Sequence, residues 1–266
     1  MNDKIRESEP LMVSIRCLVY NHEPYIRECL EGFVMQKTNF RFEAIVHDDA
    51  STDGSAAIIK EYAEKYPDII KPIFEKENKY SKHDGSLKRI MDEHTYGKYV
   101  ALCEGDDYWI DPLKLQKQVD YMEEHSECSL CFHAHKNECK GKMYTIRQYD
   151  NIQNQCPMQD IILGGGGFMA TNSMVYRKSK LPVEEPYWSR NTPVGDLPLM
   201  LKLASSGDVA YLDRVMSVYR ICVPGSWTAT SKTFHYQIRL IRRMDHLWKG
   251  YDEWTNFKYH TQVMKM

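Results

Sequence analysis

Glu104-Gly105-Asp106-Asp107 sets three carboxylates within four residues. Groups of like charge this close repel one another unless something cationic stands among them. A hard divalent ion is the natural partner, because magnesium and manganese prefer carboxylate and phosphate oxygens and share one or two protein carboxylates with a diphosphate. The run lies between the apolar stretch 99–103 and Tyr108-Trp109, a setting unlike that of a solvated turn that only caps the next helix. A second pair, Asp48-Asp49, ends the apolar run 42–47. A carboxylate there can accept a hydrogen bond from a base N–H or a ribose hydroxyl. Ser51, Thr52 and Asp53 supply caps for the helix that follows, which leaves Asp48 and Asp49 for other work. In the second half, Gly195-Asp196 opens an apolar helical stretch, where a carboxylate can cap the helix or act as a base.

These groups need a frame. Residues 12–20, 42–47, 69–74 and 99–103 are rich in apolar and β-branched side chains and read as strands. Between them, 25–36, 56–68 and 86–96 carry helical periodicity, and 114–125, introduced by Asp111-Pro112, is a further helix. Strands alternating with helices predict an α/β fold with a mostly parallel sheet, whose ligands gather at the C-terminal strand ends. Both acidic clusters fall at such ends. The second half is less regular: Gly164-Gly165-Gly166-Gly167, a loop at 181–193, strands at 210–212 and 215–221, and a long helix after about 232. The glycine run either lets backbone approach a sugar or forms a loose loop, and it lacks the lysine ending of a phosphate loop. No repeat or linker divides the chain, so 1–266 is expected to be one domain. Its donor half would span about 1–125, its acceptor half about 126–225 and a helical tail about 226–266.

A formal net charge of −2 gives no global reason to expect a nucleic-acid partner. The polar N-terminus and the absence of an apolar run of about 20 residues favour a cytoplasmic protein. The eight cysteines suit reduced thiols. Cys128, Cys131, His133, His135 and Cys139 invite a zinc reading, but a half-buried strand over 129–135 spreads them too widely for one ion. The final helix sets Phe234, Ile238, Ile241 and Trp248 among Arg239, Arg242 and Arg243. Such a face packs on the core or rests peripherally on the inner face of an anionic membrane.

The motifs together resemble glycosyltransferase family 2 enzymes of the GT-A fold, over about residues 12–222. The family's strand ending in Tyr-Asn appears as Val19-Tyr20-Asn21, its Asp-Asp-x-Ser-x-Asp-Gly as the stretch 48–54, and its Asp-x-Asp-Asp type motif as Glu104–Asp107. The resemblance implies a GT-A, Rossmann-like three-layer sandwich and an inverting, metal-dependent transfer of a sugar from a nucleotide-sugar donor, of the uridine diphosphate kind. The acceptor would be a hydroxyl on a glycan or lipid-linked acceptor of bacterial surface polysaccharide or lipopolysaccharide. Val19, Tyr20, Glu23, Asp48 and Asp49 would line the base and ribose pocket, and Glu104 would face the ribose. Asp106 would hold Mn2+ or Mg2+ against the diphosphate, with Asp107 as a direct or supporting ligand. Arg220, beside Tyr219 and near Trp227, would reach the diphosphate, or else makes an ordinary salt bridge. Asp196 would be the base. The family's usual Pro-Thr ahead of Tyr-Asn is Leu18-Val19 here, and the first acid of its metal motif is Glu104. Two alternatives compete. A haloacid dehalogenase type phosphatase wants a second acid where Ala50 stands, and a non-catalytic scaffold of the same fold would be favoured by loss of acids that are all present.

Overall fold

The computed structural model describes residues 10–190, 192, 194–221, 223–224 and 234–266, with backbone alone for 234–239. The first half alternates as read. Strand β1 (Leu11–Val19) leads to α1 (Ile26–Val34), β2 (Arg41–Asp48) to α2 (Ser55–Lys65), β3 (Ile70–Phe74) to α3 (Ser86–His94), then β4 (Tyr99–Leu102). In α1 the buried Ile26, Cys29, Leu30 and Phe33 recur at three- and four-residue spacing, one apolar stripe that docks on the sheet. The short β5 (Tyr108–Trp109) precedes α4 (Lys114–Glu124), β6 (Cys128–Cys139) and β7 (Lys142–Ile146). Then come α5 (Met158–Gly164), β8 (Val175–Arg177), α6 (Asp196–Ala204), β9 (Asp208–Arg220), α7 (Phe234–Trp254) and α8 (His260–Val263).

One nine-stranded sheet runs in the order β3-β2-β1-β4-β8-β6-β9-β5, with β7 paired to β6. The part of the sheet from β3 to β4 is parallel throughout. Direction then mixes: β8 is antiparallel to both β4 and β6, β6 and β9 are parallel, and β5 is antiparallel to β9. Neighbouring residues of one strand enter different cores, as the two-residue period of a strand requires. Tyr99 and Ala101 join Cys131, Ala210 and the α1 and α4 side chains, whereas Val100 joins Leu130, Tyr211, Met200 and Trp188. Helices therefore cover both faces, giving three layers.

Two local readings change. The strands expected at 210–212 and 215–221 are one element, β9, whose pairing with β6 shifts register between His133 and His135. The exposed Arg214 and partly exposed Asp213 lie in that excursion, so the polar interruption is a bulge instead of a turn. Strand β6 is buried on both faces from Cys128 to His135, because helices cover both sides of the sheet there. Desolvation pushes the Cys128 thiol up to about 11 and the Cys131 thiol up as well, and lowers His135 to about 4. In α7, Trp248 and Leu247 are buried while Ile241 is 65% exposed beside exposed Arg242 and Arg243. Phe234, Ile238 and Arg239 of the expected face fall outside the described side chains, as Trp227 falls outside the described residues. Among the described residues no helix is long and apolar enough to cross a membrane.

Candidate active site

Parallel pairing of β1 with β2 and β4 brings three loop starts to one sheet edge. Val19 lies opposite Asp48, the Asp49 N–H donates to the Val19 carbonyl at 2.9 Å, and the Gly105 N–H donates to the Leu18 carbonyl at 2.9 Å. The turn after β1 and the turn after β2 are stitched together. The Asn21 N–H donates to Ser51 Oγ at 2.9 Å, the Thr52 N–H to Asn21 Oδ1 at 2.7 Å, the Glu23 N–H to Asp53 Oδ2 at 3.0 Å, and the Gly54 N–H to Glu23 Oε2 at 2.8 Å. Asn21 takes a φ of 56° to make these contacts. Asp53 also accepts the Ser55 N–H at 2.9 Å, so the polar residues of this motif bind each other and open α2.

The two acids after β2 differ. Both oxygens of Asp49 accept backbone N–H groups, from Lys79 at 2.7 Å and Tyr80 at 2.9 Å, which folds the loop after β3 onto the site. Among the described residues Asp48 accepts only the Ser51 N–H at 3.3 Å, and its Oδ1 is buried without a partner. Tyr20 projects into solvent, 46% exposed, while Val19 is buried and faces the site through its carbonyl.

The turn Glu104–Asp107 is clamped from both sides. A Cβ on Gly105 would lie 2.8 Å from His22 Nδ1 and 2.9 Å from Val19 Cγ2, so only glycine lets the turn sit this close to β1. From the far side, the β5–β9 pairing delivers Arg220. Its backbone N–H donates to Asp107 Oδ1 at 2.7 Å, its Nη1 donates to the Asp106 carbonyl at 2.6 Å, and its Nε and Nη2 hold Glu138 and Glu28. Its guanidinium also lies over Tyr108, 4.4 Å from the ring centroid, and Tyr25. Arg220 is thus a buried strut behind the acidic turn. Asp107, buried and facing Arg220, keeps Oδ2 unpartnered, and burial with the neighbouring Asp106 charge raises its pKa well above the usual carboxylate range.

Asp196 reaches the same cleft from the N-terminus of α6, where its Oδ1 accepts the Leu197 N–H at 2.7 Å. Burial raises its pKa. Glu104 lies between the two halves. Its side chain retains solvent contact at the cleft mouth yet is surrounded by protein, and desolvation followed by the Asp106 and Asp196 charges drives its pKa up toward about 8. Burial first, and then the charges of Asp107, Glu104, Asp106 and Asp196, raise the pKa of Tyr219, so all four acids lie within electrostatic reach of this phenol. Among the described residues no three His, Cys, Asp or Glu side chains are grouped closely enough to hold an ion unaided.

Sequence reasoning passed over His22 and the thiols beneath the turn. His22 Nδ1 is buried without a partner against Gly105, and burial lowers its pKa against the opposing pull of Asp106, Asp53 and Asp48. The Cys29 thiol donates to the Glu104 carbonyl at 3.4 Å. The one local signal for His22 is its place directly after Tyr20-Asn21 at a strand end.

Similarity to known proteins bears on the family and the fold. An uncharacterized protein of Mycobacterium tuberculosis is 38% identical over 219 residues, which cover 81% of this chain and 60% of that protein. TuaG of Bacillus subtilis, named for glycosyl transfer in teichuronic acid biosynthesis, is 25% identical over 262 residues, 96% of each chain. Among solved structures, S. aureus TarS 1–349 in complex with UDP-GlcNAc superposes with a TM-score of 0.68 at 18% identity, covering 90% of this chain and 66% of that one. The mannosyltransferase PcManGT of Pyrobaculum calidifontis, in complex with GDP-Man and Mn2+, gives a TM-score of 0.57 at 17% identity over 94% of this chain and 65% of that one. The fold is GT-A. The chain spans 60% of the length of the mycobacterial relative. The family model of glycosyl transferase family 2 matches residues 14–181, well over half of the chain, and the protein belongs to that family.

Proposed function

We propose that the protein is an inverting, metal-dependent glycosyltransferase that moves a sugar from a uridine diphosphate sugar to an acceptor hydroxyl during bacterial surface-polysaccharide assembly. One observation carries the reading: the acids ending β2 and β4 lie at one sheet edge, and Asp196 at the start of α6 lies near enough to Glu104 for its charge to act on it together with that of Asp106. The solved neighbours with UDP-GlcNAc and with GDP-Man and Mn2+, and the name of TuaG, support the choice of donor class, ion and pathway.

The acid set suits a hard cation. Asp106 and Glu104 are carboxylates two residues apart, and the pKa of Glu104 is raised by desolvation first and then by the Asp106 and Asp196 charges, the part that a cation would relieve. Asp106 would hold the ion, with Glu104 beside it facing the ribose; Asp107 supports the turn through its bond from Arg220. Bound there, Mn2+ or Mg2+ would offset charge on a departing diphosphate. On the nucleotide side, the buried, unpartnered Oδ1 of Asp48 would accept from a base or ribose donor, Tyr20 offers a ring face, and Glu23 and Asp49 hold the two turns that frame the pocket. Asp196 would take the proton of the attacking acceptor hydroxyl, and its raised pKa makes it a better proton acceptor than an ordinary aspartate. Attack from the face opposite the leaving diphosphate inverts the anomeric carbon.

Calorimetric titration with uridine, guanosine and cytidine diphosphates, with and without manganese, tests the reading. Metal-dependent binding of uridine diphosphate is expected, lost in Asp106→Ala and kept in Asp196→Asn. No binding of any nucleotide would overturn the transferase reading in favour of a non-catalytic scaffold.

A further inference from the structure

The four glycines ahead of β8 differ in what requires a glycine there, and one of them, Gly166, leads back to Asp196. Gly165 sits at φ +58°, a left-handed conformation that suits glycine. A Cβ on Gly164 would lie 2.4 Å from the Phe168 ring. Neither constraint applies to Gly166 or Gly167. Their φ angles lie outside the left-handed region, and among the described residues a Cβ on Gly167 would meet nothing within 4 Å. Among the same residues a Cβ on Gly166 would meet only the Asp196 carboxylate, at 3.8 Å from Oδ1 and 4.0 Å from Oδ2. A Cβ on Gly195, next to Asp196, would likewise meet none of the described residues within 4 Å. Glycine loses more conformational freedom on folding than any other residue, so two glycines that neither the backbone nor the packing requires call for another explanation.

We propose that Gly166 is a specificity-determining residue, whose missing side chain keeps the approach to the Asp196 carboxylate wide enough for an acceptor hydroxyl borne directly on a sugar ring. This rests on the reading of Asp196 as the base. A ring hydroxyl brings two flanking ring carbons and their substituents up to the base with it, whereas a primary hydroxyl stands off on a methylene and enters a narrower opening. Since the Gly166 Cβ vector points at the carboxylate, each carbon added there narrows the opening at the reacting end. Alanine fits without strain, because 3.8 Å is ordinary contact; valine branches over the oxygens.

The test requires neither the natural donor nor the natural acceptor. The full chain is treated with a water-soluble carbodiimide in methylamine or in glucosamine, whose amine is carried on a pyranose carbon. Amidation at Asp196 is read by peptide mass spectrometry in wild type, Gly166→Ala and Gly166→Val. The wild type is expected to couple both amines. The glucosamine-to-methylamine ratio should fall by about tenfold in Gly166→Val, the discrimination that one or two added carbons give in a pocket, with Gly166→Ala between. An unchanged ratio, an equal fall for both amines, a wild type that couples methylamine but no glucosamine, or one that couples neither would each overturn the proposal. Titration of the three untreated proteins with uridine diphosphate and manganese keeps the two readings apart. Loss of nucleotide binding in every sample counts against the transferase reading, whereas unchanged binding in Gly166→Val shows that the variant is folded with its donor side intact. Should valine prevent folding, Gly166→Ala decides the ratio.

Discussion

Lys114 is a lysine with no exposed surface, and its charge state gives the fold a pH dependence that can be measured. Its Nζ donates to Gln118 Oε1 at 2.8 Å and lies 4.1 Å from the centroid of the Trp109 ring, and among the described residues no carboxylate forms an ion pair with it. Burial lowers its pKa from 10.5 to about 7. The sign follows from proton binding. Above about pH 10.5 the amine is neutral in both states, but as the pH falls towards 7 the unfolded chain takes up a proton that the folded protein refuses, so stability is lost. Below 7 both states are protonated and the loss levels off. At about 1.4 kcal/mol per pH unit the whole effect is about 5 kcal/mol, of which about 2 kcal/mol falls between about pH 7.5 and 9. Lys114→Met removes the amine at nearly constant volume and leaves Gln118 Oε1 without its donor, a loss of about 1–3 kcal/mol. At pH 7.5 the variant is therefore expected to be more stable than wild type by about 1–3 kcal/mol, and the gap should close by about 2 kcal/mol on going to pH 9. Urea denaturation followed by tryptophan fluorescence at several pH values gives both numbers. The difference between the two proteins cancels the titration of the buried thiols. A gap that does not change with pH would show that Lys114 keeps its proton in the folded state, and the reasoning from burial would be wrong.

Three further outcomes are expected. Gly105→Ala must push His22 or Val19 aside, and should cost about 1–3 kcal/mol in a denaturation experiment while weakening metal-dependent nucleotide binding. Arg220→Ala should destabilise the protein by about 2–4 kcal/mol, with Arg220→Lys restoring little of it, because a lysine cannot span Glu28, Glu138 and the Asp106 carbonyl at once. Asp49→Ala releases two backbone donors, so amide exchange at Lys79 and Tyr80 should quicken by about tenfold or more, and unchanged exchange there would remove Asp49 from its place as anchor of that loop.

The sequence alone was enough to locate both acidic clusters at strand ends and Asp196 at the start of a helix, because these are local properties. An apolar run that stops at polar residues ends a strand wherever it is placed, and a parallel sheet must then present all such ends on one edge. Which oxygen is open and which is occupied is a different kind of fact. Asp48 and Asp49 are adjacent and chemically identical, yet Asp49 is bound by a loop 30 residues onward while Asp48 keeps a bare oxygen. Asp107 receives its N–H from Arg220, 113 residues away, and the same strand turns that arginine into a strut behind the acids. Burial of β6 on both faces depended likewise on helices from distant parts of the chain, and the break read between 210–212 and 215–221 became a bulge only through pairing with β6. Periodicity and composition report what a segment can bury; they carry no record of which remote backbone donor or side chain arrives to meet it, and those meetings set the charge, the openness and the pKa values of this cleft.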